Sequence, residues 1–182
     1  MQVEIKYVDM AESFLCGYLR IEGLTADHPT LTTYFEGEII GSKYTFQTKD
    51  PSWGSSETVD MQHWNRFPAW KPLSREARRP DFTYKDYADR EHLFMRWKEY
   101  FLIPDHRVKA ISGASFEGFY YICFNQRNGD VSGIYFHAKS EKYVSCRAGV
   151  IFVSKTDHWH RYQQLELQRV EDRGCIASID FR

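Results

Sequence analysis

The sequence predicts a mainly β chain, an antiparallel, lipocalin-like barrel of about eight strands with helical insertions. Three observations carry this. Most of the 182 residues fall into segments that alternate apolar and polar positions and are rich in β-branched and aromatic side chains. An Asn-Gly pair stands between two such segments. Proline and helix-like pattern are concentrated in one internal stretch, 49–90, with the rest reading as strand.

The predicted strands, in order, are 2–8, 13–22, 31–41, 92–103, 116–125, 131–138, 162–168 and 175–181. Asn128-Gly129 lies between the fifth and sixth, which are therefore antiparallel neighbours. Residues 49–90 hold Pro51, Pro68, Pro72 and Pro80, a helix-like run at 56–67 and a turn or helix near 84–89. This stretch reads as an insertion covering one end of the β structure. The whole chain, 1–182, is read as one domain, since a chain of this length can bury a substantial core.

Period two assigns faces. In "FMRWKEYFLIPDH" (94–106) one face carries Leu93, Met95, Trp97, Glu99 and Phe101, so a carboxylate shares a face with Leu, Met, Trp and Phe. Arg96 and Lys98 lie together on the other face, with Phe94, Tyr100 and Leu102. Phe116, Gly118, Tyr120, Ile122 and Phe124 share a face, as do Leu15, Gly17, Leu19 and Ile21, and as do Gln163, Leu165 and Leu167. Three apolar faces thus each carry one polar group, Glu99, Tyr120 or Gln163. An apolar pocket with a few polar anchors is the usual make-up of a ligand site. A buried carboxylate must be paired or it neutralises. Glu99 is then either a structural acid satisfied within the protein or the anchor for a cation with an apolar body, such as the N-terminal amine of a peptide.

Composition excludes several classes. The net charge is −1 and the densest basic spot, "SREARRP" (74–80), contains a glutamate, so general nucleic-acid binding has no electrostatic footprint. No apolar run approaches a membrane span, and the start at Met1 runs straight into "VEIKYV", without a signal peptide. The expected location is the cytoplasm, with the nucleus as a second compartment. Cys16, Cys123, Cys146 and Cys175 are far apart and are expected as free thiols. No G-x-S-x-G elbow occurs, "GASFEG" (113–118) lacks the Lys-Ser/Thr of a phosphate loop, and "HWH" (158–160) lacks a third metal ligand. His106 and His137 are expected to make ordinary hydrogen bonds. No enzyme, cofactor or metal is expected. The rival to a peptide receptor is a lipocalin-like carrier of a small apolar molecule; an enzyme using Glu99 and Tyr120 as acid and base ranks third.

Four motifs in order, "LCGYLRIEGLT" (15–25), "PTLTTYFEGEIIG" (29–41), "FMRWKEYFLIPDH" (94–106) and "ISGASFEGFYYICF" (111–124), resemble the vacuolar import and degradation family. These are substrate receptors of the GID (in animals, CTLH) ubiquitin ligase. The resemblance runs from about residue 3 to 142 and resumes over 161–182. It implies a β-barrel with a deep pocket for protein N-termini that begin with proline, the Pro/N-degron, on proteins destined for degradation such as gluconeogenic enzymes. It implies that Glu99 takes the proline amine and Tyr120 helps hold it. Ser115 would bond the peptide backbone, with Phe116 beside it as wall. Wall positions fall on Leu19, Ile21, Leu24, Leu31, Leu102 and Tyr135, and a polar position on Gln163. Loops 23–31 and 103–116 would gate the pocket. The C-terminal tail, "IASIDFR" (176–182), would dock on an armadillo-repeat scaffold subunit through Asp180, Phe181 and Arg182. Nothing in the chain has the paired Cys/His pattern of a RING domain, so the receptor would not be the ligase itself.

Two departures stand out. The upstream segment that family members carry, part of which closes over the pocket, has no counterpart ahead of the first strand. "YVSCRAGVIFVSKTDHWH" (143–160) has none either, and reads as a hairpin extension or as translated, unspliced intron.

Overall fold

The computed structural model describes residues 2–22, 29–79, 81–108 and 117–138, and the backbone of 164–167. Seven strands form one antiparallel sheet in which each pairs with the next: β1 (Gln2–Asp9), β2 (Phe14–Glu22), β3 (Thr30–Ile39), β4 (His92–Ile103), β5 (Phe119–Asn125), β6 (Val131–Phe136) and β7 (Gln164–Leu167). Seven of the eight predicted strands are thus observed; 175–181 lies outside the described residues. β5 and β6 are antiparallel neighbours, as the Asn-Gly pair required. The pair does not make a two-residue turn. The strands are joined by a longer loop in which Gly129 takes the left-handed conformation (φ 80°) and donates to the carbonyl of Asn125 at 2.9 Å.

Both faces of the sheet's centre are buried, which accounts for the nearly continuous apolar character of β4 and β5. One face carries Glu99 and the other Arg96, so these strands alternate between two cores, not between core and water. On the Arg96 face, Phe94, Phe119, Tyr121 and Phe136 pack against the excursion between β3 and β4. That excursion supplies Phe46, Trp64 and Trp70, each wholly buried. Burying side chains of this size stabilises by roughly 1.5–3 kcal/mol apiece. The insertion therefore lies across a face of the sheet, where the sequence suggested an end.

The one α-helix among the insertion's described residues, α1 (Glu57–Trp64), falls within the predicted 56–67. Ser56 caps its N-terminus by accepting from Val59 N. Its buried positions are Asp60, Met61, His63 and Trp64, so two polar side chains face the core. Asp60 is fully satisfied there. It accepts from Thr48 N (2.6 Å), Thr48 Oγ1 (2.8 Å), Ser55 Oγ (2.7 Å) and Tyr121 Oη (2.6 Å). Burial, then the Asp60 carboxylate, raises the Tyr121 hydroxyl far above its ordinary pKa, so it remains a donor. Trp64 Nε1 donates to Phe46 O at 2.8 Å. Beneath this layer the guanidinium of Arg96, wholly buried, pairs with Glu38 through Nε and Nη2 at 2.8 Å each.

Cys16 and Cys123 are free thiols, and burial raises the Cys123 thiol to about 12. Cys146, Cys175 and the 143–160 insert lie outside the described residues. No helix among the described residues is long and apolar enough to cross a membrane.

Candidate functional site

The Glu99 face is built in cross-strand rows. One row runs Leu15, Gly37, Trp97, Tyr120, Tyr135 across five strands. The next is Gly17, Phe35, Glu99, and the next Leu19, Thr33, Leu102. Ile21 and Leu31 pair beyond it. Neighbouring rows on one face lie within reach of each other's side chains. Glu99 is thereby set between Trp97 and Tyr120 on one side and Thr33 and Leu102 on the other.

A break in the alternation makes this possible. Phe35 pairs with Glu99 but Tyr34 pairs with Phe101, leaving Tyr100 as an extra, exposed residue in β4. A bulge of this kind shifts every later side chain to the opposite face. Phe101 is turned away from Glu99 and stacks on Tyr34, with ring centroids 4.9 Å apart. Leu102 takes its place on the Glu99 face and is buried. Uninterrupted period two had assigned these two residues the other way round; the wall position implied by the family resemblance, Leu102, is on the Glu99 face.

Glu99 is 4 % exposed. It accepts from Thr33 Oγ1 at 2.5 Å and is hydrogen-bonded by the Tyr120 hydroxyl. No cation lies within ion-pair distance of it among the described residues. Desolvation by burial dominates and raises its pKa, against the lowering effects of Thr33, Tyr120 and the Lys98 charge. Burial, and then the Glu99 charge, raise the Tyr120 hydroxyl well above its ordinary value, so Tyr120 stays a donor. A carboxylate has about four acceptor sites. Among the described residues Asp60 meets four donors and Glu99 two neutral hydroxyls, which leave acceptor capacity on Glu99. Such a group can hold a proton when alone or receive a cation that displaces it.

The walls are apolar. Leu19, Phe35 and Trp97 are buried, and Phe35 stacks on Trp97 at 4.8 Å. Ile21, Leu31 and Tyr135 are half-buried. The Tyr135 ring lies 5.0 Å from that of Tyr120. Of the residues singled out in the sequence, the fold thus brings together Glu99, Tyr120, Leu19, Ile21, Leu31, Leu102 and Tyr135. Leu24, Ser115, Phe116, Gln163 and the tail residues Asp180, Phe181 and Arg182 lie outside the described residues. Sequence reasoning missed Thr33. Its signal was available, since Thr33 alternates with Leu31 and Phe35, but a β-branched hydroxyl residue reads as a strand former before it reads as a donor. Among the described residues no three His, Cys, Asp or Glu side chains gather as a metal cluster.

The family described as vacuolar import and degradation protein matches residues 1–151 of the chain. The chain belongs to that family. It is 48 % identical over 145 residues to the glucose-induced degradation protein 4 homolog of Mus musculus, covering 80 % of this chain and 66 % of the mouse protein. It is 39 % identical over 150 residues to the GID complex substrate-recognition subunit 4 of Schizosaccharomyces pombe, covering 79 % and 77 %. With the subunit of the same name from Saccharomyces cerevisiae it shares 26 % identity over 196 residues, covering 78 % and 54 %. The chain thus spans about two thirds of the mouse relative and about half of the budding-yeast one. All four motifs quoted from the sequence fall inside the matched region.

Proposed function

We propose that this chain is a non-catalytic substrate-recognition subunit of a GID-type ubiquitin ligase complex, binding proteins through a free N-terminal proline. The observation that carries the reading is the state of Glu99: buried among Leu19, Phe35, Trp97 and Leu102, bonded by two neutral hydroxyls, and with no ion-pair partner among the described residues. A proline terminus offers a secondary ammonium with two donors and a compact apolar ring. The ammonium supplies the charge Glu99 is missing, and the ring suits the Leu19–Leu102 wall. The names of the two yeast relatives support the assignment to such a complex.

A charge-assisted hydrogen bond contributes on the order of 1.5–3 kcal/mol. Micromolar affinity needs about −8 kcal/mol, so the ring and the next residues must supply the remainder. Ser115, Phe116, Leu24 and Gln163 are the proposed further contacts, and loops 23–31 and 103–116 the gate. We take the seven-stranded meander to be most of an antiparallel barrel closed by 175–181. Asp180, Phe181 and Arg182 are the proposed docking point for an armadillo-repeat scaffold subunit.

The test is calorimetry with a peptide that begins with proline and the same peptide acetylated at its amine. The free peptide should bind and the acetylated one should not; Glu99→Gln should lose the free peptide while the fold is retained. Equal binding of both peptides sinks the reading. A carrier of small apolar molecules would instead keep its ligand in Glu99→Gln. Deleting the last four residues, "IDFR", should release the scaffold in a pulldown without changing peptide affinity.

A further inference from the structure

On the Arg96 side of β4, one residue before Glu99, Lys98 points its amine at the segment that leads into β5. Its Nζ donates to Glu117 O at 2.5 Å and to Gly118 O at 3.0 Å. Gly118 N, on the other side of the same residue, donates to Tyr135 Oη at 3.0 Å. Glu117 is also approached by His137 Nε2 at 3.4 Å. Three side chains from β4 and from in and just after β6 therefore fix the two residues at which the chain enters β5. A side chain at Gly118 is not tolerated there, since a Cβ would come 2.0 Å from Phe136 O and 2.6 Å from the Tyr135 ring.

The position matters because Tyr120, the hydroxyl partner of Glu99, is only two residues further on. Lys98 pairs with Phe119 across the β4–β5 ladder, and Trp97 with Tyr120. A lysine amine is a strongly hydrated charge with three donors. Here burial lowers the Lys98 pKa, with Glu99, Glu117 and Asp50 opposing that effect. The amine gives up part of its hydration to two backbone carbonyls, an arrangement that a surface lysine has no reason to adopt.

We infer that Lys98 is a positioning residue for the ligand site: by tying the start of β5 to β4, it holds the Tyr120 hydroxyl in register with the Glu99 carboxylate. Its amine bonds neither the ligand nor the Glu99 carboxylate, although its charge favours the ionised form of Glu99. This rests on the proposed binding of an N-terminal amine, and it adds a residue on the far face of the strand to the machinery of that site.

The test uses Lys98→Met, which keeps the apolar stem and removes the donors, and Lys98→Arg, which keeps charge and donors. The probe is the peptide with a free N-terminal proline, titrated by calorimetry at a temperature where circular dichroism shows each variant folded. Lys98→Met should bind about tenfold more weakly, the factor expected for losing a charged donor. Lys98→Arg should return to within about threefold of wild type, a rescue that packing alone would not give. Lys98→Met binding within about threefold of wild type overturns the inference. If Lys98→Met does not fold, Lys98→Gln replaces it: it removes the charge and shortens the reach to the Glu117 and Gly118 carbonyls. It should likewise weaken binding by more than about threefold, and wild-type affinity overturns the inference in the same way. Wild-type protein failing to bind the peptide at all is a different outcome. It removes the proposed function, and this inference with it.

Discussion

Thr33 and Glu99, 66 positions apart in the chain, meet across the β3–β4 ladder with the threonine hydroxyl 2.5 Å from the carboxylate. Thr33 is 3 % exposed and its oxygen also lies 3.5 Å from Leu19 O. The hydroxyl therefore has an alternative acceptor beside it, yet sits closer to the acid. That contact lowers the Glu99 pKa, against the rise caused by burial. Replacing Thr33 by valine keeps the shape and removes the donor. Ionising Glu99 should then be harder, and affinity for an N-terminal amine should drop about tenfold, the scale of a hydrogen bond to a charged group. The melting temperature should move little, because a neutral Glu99 needs the donor less. Calorimetry and a thermal melt on Thr33→Val check both halves.

The raised pKa of Glu99 sets the sign of the pH dependence. In the empty site the carboxyl keeps its proton to a higher pH than an ordinary glutamate. An incoming ammonium favours the ionised form, so binding releases that proton. Affinity should therefore rise with pH through the region above the ordinary carboxylate range, by up to about tenfold per unit, and level off once Glu99 is ionised without ligand. It should fall again only when the peptide amine itself deprotonates. The stability of the empty protein runs the other way. A group whose folded pKa is raised binds more protons folded than unfolded, so stability declines as pH climbs through the same window. Titrations in buffers of different ionisation enthalpy would count the proton, and Glu99→Gln should abolish that residue's contribution to the decline of stability with pH.

The bulge at Tyr100 separates two adjacent residues that composition alone treats alike. Leu102 is buried on the Glu99 face, while Phe101 stacks on Tyr34 on the opposite one. Leu102→Ala should weaken peptide binding and cost about 2–5 kcal/mol of stability, as buried leucines do. Phe101→Ala should cost about 1 kcal/mol for the lost ring pair and leave affinity unchanged. Affinities and chemical denaturation of the two variants check this directly. The reverse pattern would mean that β4 alternates without a bulge.

That bulge also marks where the sequence stops being legible. Period two found Glu99, Tyr120, Leu19 and Ile21 on pocket-facing positions because β2, β5 and the first half of β4 are regular. It misassigned Phe101 and Leu102 because one extra residue inverts the parity of all that follow, and nothing in "KEYFL" announces the insertion. Thr33 escaped because strand propensity and hydrogen bonding call on the same residue type. The second core escaped for another reason. α1 buries Asp60 and His63 beside Met61 and Trp64, so its sequence lacks an apolar stripe. That Arg96 lies under this helix layer, paired with Glu38, follows from tertiary packing and from no local pattern.

Asp60 and His63 on that helix give a prediction about stability in which the ligand site takes no part. Asp60→Ala would leave the donors of Thr48, Ser55 and Tyr121 buried beside an empty space. The cost should exceed about 3 kcal/mol, since removing one partner of a buried, charged hydrogen-bond network strands the rest. His63 is buried, stacks on Tyr121 at 4.7 Å and bonds Val59 O through Nδ1 at 2.7 Å. Desolvation lowers its pKa from 6.5 to about 4. A histidine with a depressed folded pKa stays neutral in the fold while the unfolded chain takes up a proton. Stability should then be complete above about pH 6.5 and decline as pH falls from there towards 4, by up to about 1.4 kcal/mol per unit. Denaturation series at several pH values on wild type and His63→Gln would isolate the histidine's share as the difference between the two slopes. Peptide affinity measured on folded protein should be alike in both, because the helix lies on the Arg96 face and the ligand site on the other.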